Sequence, residues 1–478
     1  VNMSDSLKSK TVSGVLWSAI ERFSLQGVQF IINVLMARLL LPSDYGMIGM
    51  LAVFLQISQT FIDSGFSDAL VQKKDRTETD LSTVFYFNIV ISVLLYLLLF
   101  IGAPFIAQFY HMPELTLVTR IVMLNLIFSS FAAVPKIILV IKIDFKTQSK
   151  ISLISAVVSG GIGITMAYKG YGVWSLVFQS LLNILLITFL SFYYINWRPL
   201  KTFSKDSFQN LFSFGSKLLF SRLIHALYYN LYAIVIGRRY SSAELGYYTR
   251  AEQFAIFPSG NINAIISRVT FPILSSIQDD DERLASAYRK YIKLASFLIF
   301  PLMIGLAVLA KPLIILLLTE KWIMTVVLLQ ILCFDWMFDH LSIINLNLLY
   351  VKGRSDWAFR LEIIKKTIAT LILLLSIPFG IEGMCWGRVL YSLIAAYLNT
   401  HYTQNLIGLS FMSQIRDIFP SFLLSLFMGG IVFISISFIT NSVLQLLIGG
   451  IVGCSFYLIF SYILKSDSMR ELLSLIKR

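Results

Sequence analysis

The sequence predicts an all-α polytopic membrane protein, whose chain crosses the bilayer many times. Of its 478 residues, 57% are hydrophobic and only 14% are charged, whereas soluble domains have roughly 45–50% apolar and 25% charged residues. Apolar runs of about 20 residues, long enough to cross a bilayer as a helix, recur along the whole chain. These observations, with a mean hydropathy of +0.77, exclude an ordinary soluble enzyme.

Windows of about 19 residues divide the chain into about fourteen predicted transmembrane helices. Their predicted limits are 12–40, 46–67, 81–106, 116–141, 150–168, 173–195, 208–237, 245–272, 287–310, 324–350, 358–379, 382–405, 416–439 and 442–464. The loops between them are short, so no gap can hold an independent soluble domain.

The Lys and Arg residues predict the orientation, since cytoplasmic loops of membrane proteins are enriched in both. About 23 of the 39 fall in one alternating set of loops, which includes both ends of the chain, and about six fall in the other set. We therefore predict that both termini are cytoplasmic and that most of the net charge of +13 marks the cytoplasmic side. Charge of this origin gives no reason to expect a nucleic-acid partner.

The two halves of the chain resemble each other at a shift of about 200 residues. The matched pairs are Arg22 with Arg222, Arg38 with Arg238, Asp44 with Glu244 and Gly46 with Gly246. Internal repeats of this kind occur in many transporters. We predict two parallel, pseudo-symmetric six-helix lobes, residues 1–197 and 198–407, followed by two additional helices and a cytoplasmic tail in residues 408–478.

The first predicted helix carries a stripe of polar side chains. Arg22, Gln26, Gln29 and Asn33 follow one another at intervals of four, three and four residues, which places them within about 80° on one helix face. A charged stripe cannot face lipid, so it must line water or a polar neighbouring helix. We assign these four residues to substrate binding, with hydrogen bonding between helices as the alternative.

Two carboxylates accompany the polar stripes. Glu21 precedes Arg22, and Asp63 shares a stripe on the second predicted helix with Gln56 and Thr60. Charged side chains inside membrane spans usually have a function. We expect Glu21 and Asp63 to couple transport to a sodium or proton gradient, with a simple ion pair as the alternative, and we expect no other cofactor.

The second half of the chain has more positive charge. Arg222 and His225 share a face of the seventh predicted helix, and Lys217 lies about a turn and a half away on another side. We assign all three to substrate binding, with a packing role as the alternative for His225.

The eighth predicted helix carries Arg250 and Arg268, which are five turns apart and therefore point the same way. Between them, Pro258–Gly260 predicts a break near the middle of the bilayer. Broken helices often form transporter binding sites, and a simple packing kink is the alternative. Both arginines are assigned to the substrate site.

The sequence lacks the motifs of several enzyme classes. It has no GxxxxGK[ST] phosphate loop, no HExxH zinc motif and no GxSxG nucleophile elbow. Cys333, Cys385 and Cys454 are widely spaced in apolar runs, which is typical of buried hydrophobic residues rather than of a metal site. We therefore predict a transporter that is not an enzyme, with no metal centre and no ATPase motif.

Several short strings of the sequence are distinctive. They are Gly14–Ser18, Ala37–Leu40, Pro42–Gly46, Asp63–Phe66, Ala69–Gln72, Gly246–Ala251, Phe271–Pro272, and Gly383 with Trp386. With the doubled lobes and the cationic interior, these strings resemble the WzxC-type lipopolysaccharide flippases of the multidrug/oligosaccharidyl-lipid/polysaccharide exporter superfamily.

This resemblance implies a secondary flippase in the bacterial inner membrane. Its substrate would be an undecaprenyl-pyrophosphate-linked oligosaccharide, a repeat unit of O-antigen, capsule or exopolysaccharide, and its partners the bilayer and a polysaccharide polymerase or export machinery. The two lobes would alternate access to a cationic cavity. In the related lipid II flippases, cavity arginines on the first, second and eighth helices are implicated; Arg22 and Arg250 match two of these, and the second helix here has no arginine.

Two other functions are weighed against this one. A MATE-like drug antiporter shares the twelve-helix core but needs an acidic cavity for organic cations, which the excess of intramembrane Arg and Lys disfavours. A membrane-embedded O-antigen polymerase or ligase needs a large outer loop, and the predicted loops are too short.

Overall fold

The computed structural model describes residues 24–63, 66–73 and 75–476, in which all regular structure is helical. The chain divides into two compact units, Val1–Gly246 and Tyr247–Arg478. Unit one contains α1 (24–39), α2 (Pro42–Asp63), α3 (Phe66–Gln72), α4 (Glu78–Phe109), α5 (Leu115–Val122), α6 (Leu124–Ile141), α7 (Phe145–Tyr168), α8 (Val173–Ile195), α9 (Lys205–Tyr229), α10 (Leu231–Arg239) and the first turn of α11 (Ser242–Ser276).

Unit two contains the rest of α11 and nine further helices. These are α12 (Asp281–Val308), α13 (Ala310–Leu318), α14 (Met324–Met337), α15 (Asp339–Val351), α16 (Ser355–Ser376), α17 (Gly380–Ile407), α18 (Phe411–Ser437), α19 (Ser442–Ile463) and α20 (Asp467–Ile476). Single 3₁₀ turns at Glu320–Trp322 and Ile377–Phe379 precede α14 and α17.

Each of the fourteen predicted spans overlaps one helix or two consecutive helices. In the described part of the chain, ten helical segments are long and apolar enough to cross a membrane. The predicted spans 12–40, 208–237 and 245–272 are not among these ten. Of the first, only the short helix α1 is described, α10 has nine residues, and α9 and α11 are more polar than the other predicted spans. The prediction of an all-α polytopic membrane protein is confirmed, and the count of fourteen stays a prediction.

The linker between α8 and α9 is tied to the first turns of α4. The Trp197 indole donates a hydrogen bond to Glu78 (2.8 Å), and the Leu200 N–H donates to the Ser82 hydroxyl (2.9 Å). Buried side chains of α3, α4, α6, α9 and the linker form one apolar cluster, which includes Phe66, Leu81, Phe85, Ile138, Trp197 and Leu211. These contacts explain why the first compact unit continues through α9 and α10; the repeat boundary at 197/198 stays a prediction.

The start of α4 shows how polar residues fix a helix end beside the membrane. The Thr77 hydroxyl accepts the Asp80 N–H (3.2 Å), and the Asp80 carboxylate accepts the Thr77 N–H (2.8 Å). This reciprocal capping box satisfies two backbone donors that a helix start leaves without partners. Asp80 also forms an ion pair with Lys73 (2.7 Å), which holds the preceding loop against the helix.

The predicted break in the eighth span is wrong. Helix α11 runs continuously from Ser242 to Ser276 with Pro258 inside it. Proline removes one backbone hydrogen bond and kinks a helix, but membrane helices tolerate it where neighbouring groups compensate. Beside the proline, Ser259 donates from its hydroxyl to the Trp336 carbonyl of α14 (2.9 Å), and Asn261 donates to the Phe257 carbonyl (2.8 Å). Neither bond reaches the Phe254 carbonyl, which is the acceptor that Pro258 leaves without its helix donor.

The first turns of α2 and α11 meet through a pair of glycines. A Cβ added to Gly46 would lie 1.7 Å from the Ser242 carbonyl oxygen, and one added to Gly246 would lie 2.0 Å from the Pro42 carbonyl oxygen. The two contacts are reciprocal, because Pro42 and Ser242 are themselves paired by the shift of 200 residues. Only glycine allows this approach at either position.

Candidate functional site

The predicted site residues of α1 lie on one side of that helix. Gln26 and Asn33 are partly buried, and Gln29 is exposed. Arg22 and Glu21 lie outside the described residues. Asp63 is the last residue of α2, and its side chain is also outside the described part.

The neighbouring polar stripe on α2 is used for contacts between helices. Gln56 accepts a hydrogen bond from Asn230, at the junction of α9 and α10, and Gln59 accepts one from Ser129 of α6 (3.0 Å). This is the alternative role that the sequence left open for such stripes. Interhelical hydrogen bonds of this kind contribute about 1 kcal/mol or less on average in membrane bundles.

Helix α9 carries three of the predicted site residues, and the structure describes the side chains of two of them. Arg222 and His225 are both exposed. The His225 ring stacks on Tyr229, with 6.3 Å between ring centroids and 12° between planes. The Lys217 backbone lies in the same helix, but its side chain is outside the described residues.

The two predicted arginines of α11 have different surroundings. The Arg250 side chain is buried, with 7% of its surface exposed, and its guanidinium donates to the Gln253 amide oxygen at 2.6 Å. Arg268 is exposed. A buried guanidinium costs several kcal/mol unless its donors have partners, and the hydrogen bond to Gln253 offsets part of this cost.

The structure also reveals a charged cluster in unit two that the sequence reasoning missed. The Arg388 guanidinium of α17 donates from Nε and Nη2 to the Asp335 carboxylate of α14, at 2.8 and 2.7 Å. Its Nη1 donates to Glu252 and to the Tyr248 hydroxyl, both on α11. The guanidinium also lies 5.7 Å from the centroid of the Trp336 ring.

A third carboxylate, that of Asp339, lies beside these ion pairs. We name Arg388, Glu252, Asp335 and Asp339 together the Arg388 cluster. Asp339, at the start of α15, accepts a hydrogen bond from the Asn263 amide (3.1 Å), and Asn263 reaches the Ser259 hydroxyl at 3.4 Å. One signal could have found these acids. Asp335 and Asp339 are four residues apart inside a predicted apolar span, where ionisable residues deserve a functional hypothesis.

The sequence matches the polysaccharide biosynthesis protein family over residues 35–327. The chain belongs to this family. It is 29% identical over 434 residues to the teichuronic acid biosynthesis protein TuaB of Bacillus subtilis, covering 90% of this chain and 89% of that protein. It is 26% identical to the lipopolysaccharide biosynthesis protein WzxC of Escherichia coli, covering 88% and 86% of the two chains. The predicted resemblance to polysaccharide flippases is confirmed.

Solved transporter structures share the fold of this family member. The lipid II flippase MurJ in an inward closed conformation superposes with a TM-score of 0.77 at 19% identity, covering 95% of this chain and 99% of MurJ. An inward-facing multidrug MATE transporter of the same superfamily gives a TM-score of 0.61 at 15% identity, covering 82% and 98%. These similarities establish a transporter fold, and at such identities they do not transfer a substrate.

Proposed function

We propose that the protein is a secondary flippase that moves undecaprenyl-pyrophosphate-linked oligosaccharide repeat units across the bacterial inner membrane. Membership of the polysaccharide biosynthesis protein family supports this proposal most directly. Two relatives are described as biosynthesis proteins for teichuronic acid and lipopolysaccharide, and a third as a succinoglycan transport protein. The sugar of this protein's own substrate would be a glycan of that general class.

The chemistry of the substrate accounts for cations inside the spans. A pyrophosphate carries dense negative charge, and guanidinium groups bind its oxygens through paired hydrogen bonds. Arg222, Arg250 and Arg268 lie in α9 and α11, which are not among the ten apolar segments, and Arg22 belongs to the α1 stripe by its spacing. In our proposal these arginines and Lys217 bind the pyrophosphate, while amide and imidazole side chains of Gln26, Gln29, Asn33 and His225 bind polar groups of the sugar.

Transport would proceed by alternating access, with the lipid tail remaining in the bilayer throughout. A sodium or proton gradient would drive it, and Glu21 and Asp63 are the coupling candidates that the sequence offers. Both termini would be cytoplasmic, and a polysaccharide polymerase or export machinery would receive the product. A drug antiporter function remains the rival, since MATE transporters share the fold.

The test uses a deletion strain complemented with arginine variants. We expect Arg22→Ala, Arg222→Ala and Arg250→Ala each to reduce surface glycan at least tenfold at unchanged protein level, because each removes a fixed cation worth about 1.5–3 kcal/mol of binding. Lipid-linked oligosaccharide should accumulate in the cytoplasmic leaflet.

The control is Arg283→Ala, which removes an exposed arginine at the start of α12. This variant should display normal glycan. Normal display by all three interior variants would rule out the assigned binding residues, and a deletion strain with no leaflet accumulation would rule out the flippase function.

A further inference from the structure

The Arg388 cluster places one guanidinium among three carboxylates inside the membrane-spanning part of unit two. Arg388 forms ion pairs with Glu252 and Asp335, and Asp339 follows Asp335 across the junction of α14 and α15. One positive and three negative groups give the cluster a formal charge of −2 if every acid is ionised. Asp335 is buried, and Glu252, Asp339 and Arg388 are only partly exposed, so ionisation of all three acids is disfavoured.

Asp339 is the acid of this cluster that forms no ion pair among the residues that the structure describes. All three guanidinium nitrogens of Arg388 donate to Glu252, Asp335 and Tyr248. In the part of the chain that the structure describes, the side chain hydrogen-bonded to Asp339 is the neutral amide of Asn263. A neutral donor compensates a carboxylate far less than a guanidinium does.

The other titratable groups around Asp339 do not neutralise the excess negative charge of the Arg388 cluster. On α16, the positive charge of Lys365 attracts the Asp339 carboxylate electrostatically, but Lys365 forms its ion pair with Glu362. On α15 itself, the His340 ring contacts Ser296 of α12 (2.7 Å) and the Met337 carbonyl (2.9 Å). On α17, the free Cys385 thiol is buried three residues before Arg388.

We propose that Asp339 is a proton-binding site, which carries a proton in this conformation and releases it during transport. The proposal rests on the proposed flippase function and adds the coupling ion. On release, the O–H bond of the carboxyl group breaks and the proton passes to water. A third anion then stands beside Arg388 and competes with Glu252 and Asp335 for the guanidinium, so proton loss rearranges the ion pairs that join α11, α14 and α17.

A proton fits this site better than a sodium ion. Metal cations of this kind need several oxygen ligands around them. Asp339 instead faces an amide N–H from Asn263, and Arg388 supplies a fixed positive charge nearby. Both features repel a second cation, whereas a proton on the carboxyl oxygen removes the excess negative charge directly.

Infrared difference spectroscopy on the purified full-length protein tests proton binding without any substrate. Wild-type protein should show a protonated carboxyl band that disappears on alkaline titration. Asp339→Asn, which matches a protonated carboxyl group in size, should lack this band, and Asp339→Glu should retain it at a shifted position. The matched control is Glu382→Gln, an exposed acid at the start of α17, which should leave the band unchanged.

Proteoliposomes test coupling, with a polyprenyl-pyrophosphate carrying one fluorescent sugar as the probe. An inward or outward pH gradient should change the wild-type initial rate several-fold. In Asp339→Asn this ratio should fall to about one while transport down the probe's own gradient continues, and Glu382→Gln should behave as wild type.

The outcomes separate the two proposals. Persistence of the carboxyl band or of the full pH response in Asp339→Asn would overturn the proton site, and so would a response to sodium in place of protons. Failure of wild-type protein to move the probe would instead count against the flippase function, and the infrared band would still decide whether Asp339 binds a proton.

Discussion

At the scale of single residues, Arg388 shows what a membrane protein gains by pairing a buried charge. A lone arginine at the centre of a membrane helix costs about 2.5–3.5 kcal/mol on insertion scales. Glu252 and Asp335 offset this cost with well-formed hydrogen bonds, and only 14% of the Arg388 side chain is exposed. The three residues therefore depend on one another.

Removal of Arg388 should destabilise the protein more than loss of a surface charge. We expect Arg388→Gln to lower the free energy of unfolding by about 3–5 kcal/mol, because the buried Asp335 and the partly buried Glu252 lose their partner. Thermal unfolding in detergent measures the loss, and addition of Asp335→Asn should recover part of it.

The matched control is Arg354→Gln, which breaks an exposed pair with Asp356. Exposed ion pairs contribute about 0–1 kcal/mol, so this variant should unfold almost as the wild type does. Equal effects of the two substitutions would show that the Arg388 cluster is not a stabilising unit.

The sequence predicted charged residues inside the spans, but it could not predict which of them meet. The partners of Arg388 lie 53 and 136 residues away along the chain. Helical periodicity relates residues within one helix, and no pattern of this kind specifies contacts between helices. The predicted cations were therefore assigned to a substrate site, while Asp335, Asp339 and Glu252 escaped notice.

At the scale of helices, the most informative feature is the repeat of α2 in α11. Asp44 accepts the Leu41 N–H (2.9 Å), and its partner Glu244 accepts the Ser241 N–H (2.8 Å). The shift of 200 residues found in the sequence thus matches equivalent hydrogen bonds in the structure. The acid and the glycine at the start of each helix could be recognised in the sequence, because such helix-start patterns depend only on residues that are neighbours in the chain.

The reciprocal glycines predict a sharp steric effect. Gly46→Ala should destabilise unit one by about 1–3 kcal/mol, the usual cost of overpacking, because its Cβ would meet the Ser242 carbonyl oxygen. Gly246→Ala should have a similar effect. Thermal unfolding and the yield of monodisperse protein in detergent measure both.

Gly102→Ala in α4 is the control, since an added Cβ there meets no atom within 4 Å. Alanine favours a helix over glycine by about 0.5–1 kcal/mol, so this variant should be neutral or slightly stabilised. Unchanged stability of Gly46→Ala would mean that the two first turns are not in close contact.

At the scale of the whole molecule, the positive charge predicts a single orientation across the membrane. In unit two, three cations of α12 that we predict to be cytoplasmic form ion pairs with acids of α18 and α20. The pairs are Arg289 with Asp417, Lys290 with Glu471, and Lys293 with Asp467. The charge rule depends on composition alone. The orientation that it gives stays a prediction, and so does the count of fourteen spans, which depends on the polar helices α9 to α11.

Cysteine labelling tests the orientation. In a cysteine-free background, Lys169→Cys, in the exposed loop after α7, should react with a membrane-impermeant maleimide in intact spheroplasts. Glu282→Cys, at the exposed start of α12, should react only after the membrane is permeabilised. The reverse pattern would invert the assigned topology and place both termini outside.

Pro258 gives α11 a compliant joint near its middle, and Pro272 lies farther along the same helix. The helix has 35 residues and is about 52 Å long, which exceeds the roughly 30 Å hydrocarbon thickness of a bilayer. Arg250 and Arg268 lie on opposite sides of the joint, about 27 Å apart along the axis. Bending at Pro258 changes the separation of the two guanidinium groups while the helix stays intact.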